Sequence, residues 1–244
     1  NLDLALLDFP AASPVRRNVE EALLAARRAA DLTRQLLAYA GKGRFTLARL
    51  DVNAFVEENI QFFRTALPKT VSFALSLAPT LAPIEADPAQ LQQVVMNLLT
   101  NAAEAIGDAP GTITLSTGII EADAHMLQKS RLPEVPLPGR YVFLEVADTG
   151  CGMDEATIGR IFEPFFTTKF TGRGLGMAAV AGIVRGHHGA ILIESAIGKD
   201  TTVRVLLPTV GGESGPQKPS QGEGRAVLKA AQVGESPNQT ALVV

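Results

Sequence analysis

Asp148-Thr149-Gly150-Cys151-Gly152-Met153 is the stretch on which the reading of this chain turns. It follows an apolar, alternating run, Tyr141-Val142-Phe143-Leu144-Glu145-Val146-Ala147. Such a run predicts a strand, so the Asp148 carboxylate is delivered to the end of a sheet, at the floor of a cleft. Downstream, within the reach of one small domain, come Phe162-Glu163-Pro164-Phe165-Phe166 and Gly172-Arg173-Gly174-Leu175-Gly176. Upstream lies Asn97-Leu98-Leu99-Thr100-Asn101-Ala102. A lone glycine cluster carries little weight, whereas two clusters, an acidic lead and paired asparagines in this order form a set that chance rarely assembles.

Working outward, Asp87-Pro88-Ala89-Gln90 predicts a helix start, with Asp87 capping, Pro88 at the first position and Gln90 reaching back to the cap. The helix is expected to run to Ile106 and stop at Gly107. At about 100° per residue, Gln90, Gln93, Asn97, Asn101 and Glu104 form one stripe, facing a polar cavity. Leu91, Val94, Val95, Leu98, Ala102 and Ala105 form another, facing a core. Strands are expected at 71–77, 84–86, 112–120, 140–147, 191–195 and 202–207, and helices from Asp51 or Asn53 to about Thr65 and over 177–184. Residues 121–139 read as a proline-containing surface excursion with a solvated His125.

Residues 15–40 carry Val19, Ala22, Leu23, Ala26, Ala29, Ala30, Thr33, Leu36 and Leu37 at helical spacing, opposite Arg16, Arg17, Glu20, Arg27, Arg28 and Arg34. A turn at 8–14 and a helix end at 1–7 make this a hairpin, closed off on its C-terminal side by Gly41-Lys42-Gly43. One hairpin buries too little by itself. Its stripe predicts a second copy in a four-helix bundle, the alternative being packing on its own domain. After Pro208, residues 210–239 have a linker's composition, and Thr240-Ala241-Leu242-Val243-Val244 turns apolar again. The expected division is a partial helical hairpin at 1–45, a mixed domain at 46–209, a linker, and the start of another domain at 240–244.

Bulk composition fits that plan. Of 244 residues, 46% are apolar and 19% charged, the balance of a soluble globular chain. A net charge of −3 offers no basic footprint for nucleic acid. No uncharged apolar run approaches the roughly 20 residues of a membrane span, and no signal-peptide layout opens the chain, so no membrane contact is expected within these residues, which leaves open an anchor elsewhere in a longer protein. The single cysteine, Cys151, can form no internal disulfide and agrees with a cytoplasmic setting.

Each element of the set has a chemical reading beside a plain one. Amide oxygens are hard ligands suited to Mg²⁺ with nucleotide phosphates, so Asn101 is the metal candidate, with Asn97 one turn earlier near the phosphates or the ion's waters. Both amides could instead face solvent. Asp148 could read adenine's exocyclic amine by a charge-assisted hydrogen bond, with Gly150 and Gly152 letting the backbone approach the base, or the run could be an ordinary turn after a strand. Gly172, Gly174 and Gly176 precede a helix whose N–H groups could receive phosphate oxygens, with Lys169 and Arg173 adding charge, or they could form a linker and cap. The phenylalanines at 162, 165, 166 and 170 could anchor a mobile segment or pack in the core. His187 and His188 read as the end of a helix.

The order of asparagine helix, Asp-x-Gly-x-Gly, phenylalanine segment and Gly-x-Gly-x-Gly resembles the N, G1, F and G2 boxes of two-component sensor histidine kinases, over residues 50–208. The resemblance implies an α+β fold, a two-layer α/β sandwich of the kinase and gyrase ATPase type preceded by an α-helical dimerization hairpin. It implies ATP and Mg²⁺ as cofactors, with Asn101 on the metal, Asn97 beside it, Asp148 on adenine, and Gly174, Leu175 and Gly176 in the phosphate-side loop. A homodimer and a response regulator or attached receiver domain are the implied partners, the receiver beginning at 240–244. Two departures stand out. The family's acceptor histidine lies on the first hairpin helix, and the chain opens at Asn1-Leu2-Asp3, after that point, with none of His125, His187 or His188 placed to replace it. The expectation is therefore nucleotide binding without self-phosphorylation. The family's last glycine box, Gly-x-Gly-Thr, is here Gly198-Lys199-Asp200-Thr201, which puts an acidic residue beside the site residue Thr201 and is expected to weaken nucleotide binding. Where related ATPases place a water-activating glutamate, this chain has Asn97, which favours phosphotransfer over hydrolysis. A non-catalytic nucleotide-binding module and a serine kinase or ATPase on the same fold remain the other readings.

Overall fold

The computed structural model describes residues 13–39, 46–169 and 174–210. Helix α1 (Pro14–Tyr39) comes first. Strand β1 (Ala48–Leu50) and helix α2 (Val52–Thr65) come next. Asp51 is the α2 cap, accepting the N–H groups of Asn53 at 2.8 Å and Ala54 at 3.2 Å. Asn53, the other candidate, instead sits inside the helix, where Nδ2 donates to the Ala78 carbonyl at 2.7 Å and Oδ1 accepts the Thr117 hydroxyl at 2.6 Å.

Strands β2 (Val71–Ser76) and β3 (Ile84–Ala86) lead to helix α3 (Pro88–Ile106), which ends at Gly107 as its sequence implies. Asp87 caps α3 through Ala89 N–H at 3.0 Å and Gln90 N–H at 3.3 Å. Gln90 does not reach back to the cap: its Oε1 is buried without a hydrogen-bond partner. The Asp87 N–H it was to satisfy donates to Nε2 of His187 at 3.0 Å, because the fold brings an imidazole where local sequence offered an amide.

The rest is β4 (Gly111–Ala122), α4 (Ala124–Leu127), β5 (Gly139–Asp148), α5 (Glu155–Arg160), α6 (Gly176–Gly186), β6 (Ala190–Ser195) and β7 (Thr201–Pro208). Five strands form a mixed sheet in the order β2-β4-β5-β7-β6, with β2 parallel to β4 and the other neighbours antiparallel. A separate two-stranded ribbon pairs β1 with β3.

The core lies between one face of the sheet and helices α2, α3 and α6, and includes Phe63, Leu99, Ile113, Leu144 and Ile191. Each such side chain contributes about 1.5–3 kcal/mol relative to leaving it in water. Period-two alternation puts Val142, Leu144 and Val146 on this face and Tyr141, Phe143 and Glu145 on the other. The far end of that second face is closed by α4, where Leu127 packs with Ala122, Tyr141, Ala190 and Leu206. The expected surface excursion is thus partly core: Leu127 and Leu132 are buried, while His125 is exposed.

Helix α1 lies along α6 of its own chain, one of the two packings the sequence left open. Val15 and Leu24 stay about half exposed on it, at 47% and 48%. The turn and helix end expected at 1–12, and the linker and apolar segment after 210, fall outside the described residues.

Candidate functional site

The alternation that builds the core also builds the site. Asp148 is the next residue on the inward face after Val142, Leu144 and Val146, so its carboxylate enters the sandwich at the sheet's end and is only 6% exposed. Thr201 obeys the same rule in β7, inward with Val203 and Val205, and pairs directly with Asp148 across the two strands. The strand ends meet the side of α3 and the start of α6 in a cavity of about 530 Å³.

Asp148 Oδ1 accepts the Gly150 N–H at 2.8 Å, and Oδ2 has no hydrogen-bond partner among the described residues. Burial pushes this carboxyl above the usual carboxylate range, and the nearby charge of Asp200 adds to it. The Gly150 hydrogen bond and the ammonium of Lys169 act in the opposite sense. The site therefore holds a desolvated, half-satisfied acceptor pointing into open space.

Gly152 has φ 67°, and a Cβ there would overlap the Ala196 carbonyl oxygen, so the chain must be glycine to pass under the β6–β7 turn. That turn is pinned from the other side by Gly198 N–H donating to the Cys151 carbonyl at 2.7 Å. A further link runs from Met153 N–H to Ser195 Oγ at 2.9 Å and on to the Thr201 hydroxyl at 2.8 Å. Asp200 is exposed on this turn.

From α3, Asn97, Asn101 and Glu104 line the cavity; Gln90 and Gln93 of the same stripe do not. Asn97 Nδ2 donates to the Gly176 carbonyl at 3.2 Å, which leaves its Oδ1 as an unengaged oxygen. Asn101 makes no hydrogen bond to other described residues and presents its whole amide to the cavity. Leu98 and Ala102, from the core-facing stripe, are buried yet also line the cavity floor.

On the opposite wall, Leu175 is the residue before α6 and supplies no side-chain cap, so the first N–H groups of the helix remain directed at the cavity. Gly174 has φ 65°, and a Cβ there would strike the Phe165–Phe166 backbone. Its carbonyl accepts the Phe165 N–H at 2.8 Å. Gly174 thus joins the phenylalanine segment to the start of α6. Gly172, Arg173 and Phe170 fall outside the described residues.

The phenylalanines divide by role. Phe162 packs against the core. Phe166 lines the cavity beneath the Arg160 guanidinium, 4.3 Å from the ring centre. Phe165, with φ 68°, is 65% exposed. Lys169 stands at the cavity mouth on Glu104, with Nζ 2.6 Å from Oε2, an ion pair that sequence proximity to the glycines did not suggest. Sequence reading also missed that Cys151 and Met153 line the cavity. The only available signal was their place beside Asp148. His187 is buried and tied to Asp87, and His188 is exposed, both at the end of α6.

A chelating cluster of three or more His, Cys, Asp or Glu side chains is absent among the described residues. The donors present are amide oxygens, which suit a hard ion that arrives with phosphates and keeps most of its waters.

A protein-family model described as histidine kinase-, DNA gyrase B-, and HSP90-like ATPase matches residues 86–211. Among curated proteins, the chain is 36% identical over 209 residues to the sensor kinase CckA of Brucella abortus (strain 2308), covering 84% of this chain and 22% of that protein. It is 35% identical over 205 residues to the sensor histidine kinase ZraS of Klebsiella oxytoca, covering 82% and 40% respectively. The chain therefore spans well under half the length of either relative. Among solved structures, full-length ShkA in complex with AMPPNP superposes with a TM-score of 0.64 at 21% identity, over 84% of this chain and 41% of that one, a likeness of fold.

Proposed function

The chain belongs to the histidine kinase-, DNA gyrase B-, and HSP90-like ATPase family, and from this we propose that it is the ATP-binding catalytic region of a sensor histidine kinase. One observation carries the reading: the buried Asp148 carboxylate has an oxygen without a partner directed into a cavity whose other wall bears two asparagine amides. The first is an acceptor suited to adenine's amine. The second is a pair of hard oxygens suited to an ion on phosphate.

In this reading Asp148 orients the base, and the buried Thr201 hydroxyl shapes the cavity beside it. Asn101, with Asn97 Oδ1 beside it, would hold Mg²⁺, which on binding neutralises phosphate charge. The first N–H groups of α6, at Leu175 and Gly176, face the phosphates, and Gly174 sets their direction. Lys169, held on Glu104, would present its ammonium to phosphate from the cavity mouth, and Gly172 and Arg173 would complete the loop. The γ-phosphoryl group then transfers in line to an imidazole nitrogen, a reaction that asks the protein for positioning and charge more than for covalent chemistry.

The proposed division is a dimerization hairpin at 1–45, the catalytic domain at 46–209, a linker at 210–239 and the beginning of a receiver at 240–244. The half-exposed Val15 and Leu24 of α1 support a homodimer through that helix. A response regulator or attached receiver would take the phosphoryl group from histidine. No described helix is long and apolar enough to cross a membrane.

The test is to incubate labelled ATP with this chain and a separate protein supplying the acceptor helix. Acid-labile, alkali-stable label on histidine is the expected result. Binding without label would point to a regulatory module, and acid-stable label or free phosphate to a serine kinase or ATPase.

A further inference from the structure

We propose that Asp87 and His187 are positioning residues for phosphoryl transfer, forming a buried junction through which the backbone at Thr46 sets the placement of Asn97 and Asn101. The inference rests on the phosphotransfer reading above. Asp87 is 7% exposed, and its carboxylate serves two masters. Oδ1 caps α3 through Ala89 and Gln90. Oδ2 accepts the N–H of Thr46, 41 residues away, at 2.9 Å. The second bond lies outside the cap and ties the start of α3 to a segment far away in sequence.

The Asp87 main chain is held from a third direction. Its N–H donates to His187 Nε2 at 3.0 Å, while His187 Nδ1 lies 2.8 Å from the Ile183 carbonyl. Accepting at Nε2 assigns the proton to Nδ1, where that carbonyl receives it. Helix α6 is thus tied to α3 at both of its ends, His187 to Asp87 at the α3 cap and Gly176 to Asn97 halfway along α3. Asn97 lies ten positions on from Asp87, about 15 Å of rigid helical rise. A shift of the chain at Thr46 is delivered to the amides rather than absorbed, and α1, lying along α6, bears on the same junction from the His187 side.

Asp87→Asn in the full-length protein isolates the junction from the cap. Asparagine caps as well as aspartate, but it has one oxygen, and the Ala89 and Gln90 N–H groups claim it. Its Nδ2 then opposes Thr46 N–H, donor against donor. ATP affinity is expected to stay within about twofold, while the rate of phosphoryl transfer falls about tenfold or more, since sub-ångström misplacement acts on rate before binding. Thr46→Pro deletes the same hydrogen bond from the other side with the cap intact, and it carries the test should Asp87→Asn fold poorly. It is expected to lower transfer similarly, with the double variant no slower than either single one. Wild-type transfer in either well-folded variant, or losses that multiply in the double, overturns the junction. Absence of ATP binding and of transfer in the wild type would instead sink the functional reading itself.

Discussion

Asp148→Asn separates the two demands placed on that residue. In the wild type, Oδ1 holds the Gly150 N–H at 2.8 Å and Oδ2, without a partner among the described residues, is the atom proposed to meet the base. Asparagine keeps its one oxygen on Gly150, because abandoning a partly buried N–H costs about 1–3 kcal/mol. The Nδ2 group then faces the base, donor to donor against adenine's amine. Loss of a charge-assisted hydrogen bond, about 1.5–3 kcal/mol, converts to a roughly ten- to hundredfold weaker affinity for ATP. Hypoxanthine carries an acceptor where adenine carries that amine, so the variant gains a partner in ITP. Calorimetric titration of ATP and ITP is expected to show the ratio of affinities moving toward ITP by tenfold or more. The pH dependence supplies a second sign. Burial raises the Asp148 pKa, so the native state holds that proton more tightly than the unfolded chain. Its contribution to stability is complete below the unfolded value and is lost as pH rises through the native one. At neutral pH the carboxylate is thus a cost, and the ligand-free variant should melt higher than the wild type, without the wild type's decline across that window. Parallel losses of ATP and ITP, or a variant that melts lower at neutral pH, would refute the assignment.

Asn101→Ala is expected to abolish the magnesium-dependent part of ATP affinity, read by titration with and without EDTA, and leave the fold intact. Gly152→Ala forces a Cβ into the Ala196 carbonyl at φ 67° and should lower the melting temperature by about 4 °C or more; an unchanged melt would deny the close approach of the two loops. Asp200→Gly removes the charge that helps to hold the Asp148 carboxyl above its usual range. The expected result is ATP affinity up to about fivefold tighter, a gain limited by the exposure of Asp200 and fading in high salt. No gain at low salt would show that the altered glycine box does not burden the site.

The elements legible in the sequence are those whose signals are local. Asp51 and Asp87 announce their helices by capping chemistry, and alternation across 141–147 told both where β5 lies and which way Asp148 points. What escaped depends on partners far along the chain. Strand β1 is three residues whose only definition is pairing with β3. Helix α5 is six residues, too short for periodicity, and rests on Asp154 accepting the Thr157 N–H at 2.7 Å. Gln90 loses its role to His187, and Lys169 turns to Glu104, because each answer came from a residue at least 65 positions away. In the site, Asn97, Asn101 and Asp148 line one cavity as the periodicities imply, and Thr201, one residue before the expected start of its strand, joins them. Gly174 lines the cavity too, and its left-handed turn in addition ties the phenylalanine segment to the start of α6, a contact the local sequence does not signal.

The titratable groups lining the cavity among the described residues are Glu104, Asp148, Cys151 and Lys169. Their placement bears on which nucleophile the site can serve. Asp148 and Cys151 lie at the sheet end, where the base would sit. Glu104 is committed to Lys169 at 2.6 Å, and the residue one turn before Asn101 is Asn97, whose amide cannot take a proton. Water and serine hydroxyl must surrender a proton as they attack, and both need a base close to the γ-phosphate. A neutral imidazole attacks with a lone pair already in hand and needs only alignment. Among the described residues the cleft is rich in positioning groups and poor in bases at its proposed phosphate end, which supports the proposal of histidine as the acceptor. If so, replacing Asn97 with glutamate should raise free phosphate release from ATP in the absence of any acceptor. Background hydrolysis unchanged in a variant that still binds ATP would remove this argument against the ATPase reading.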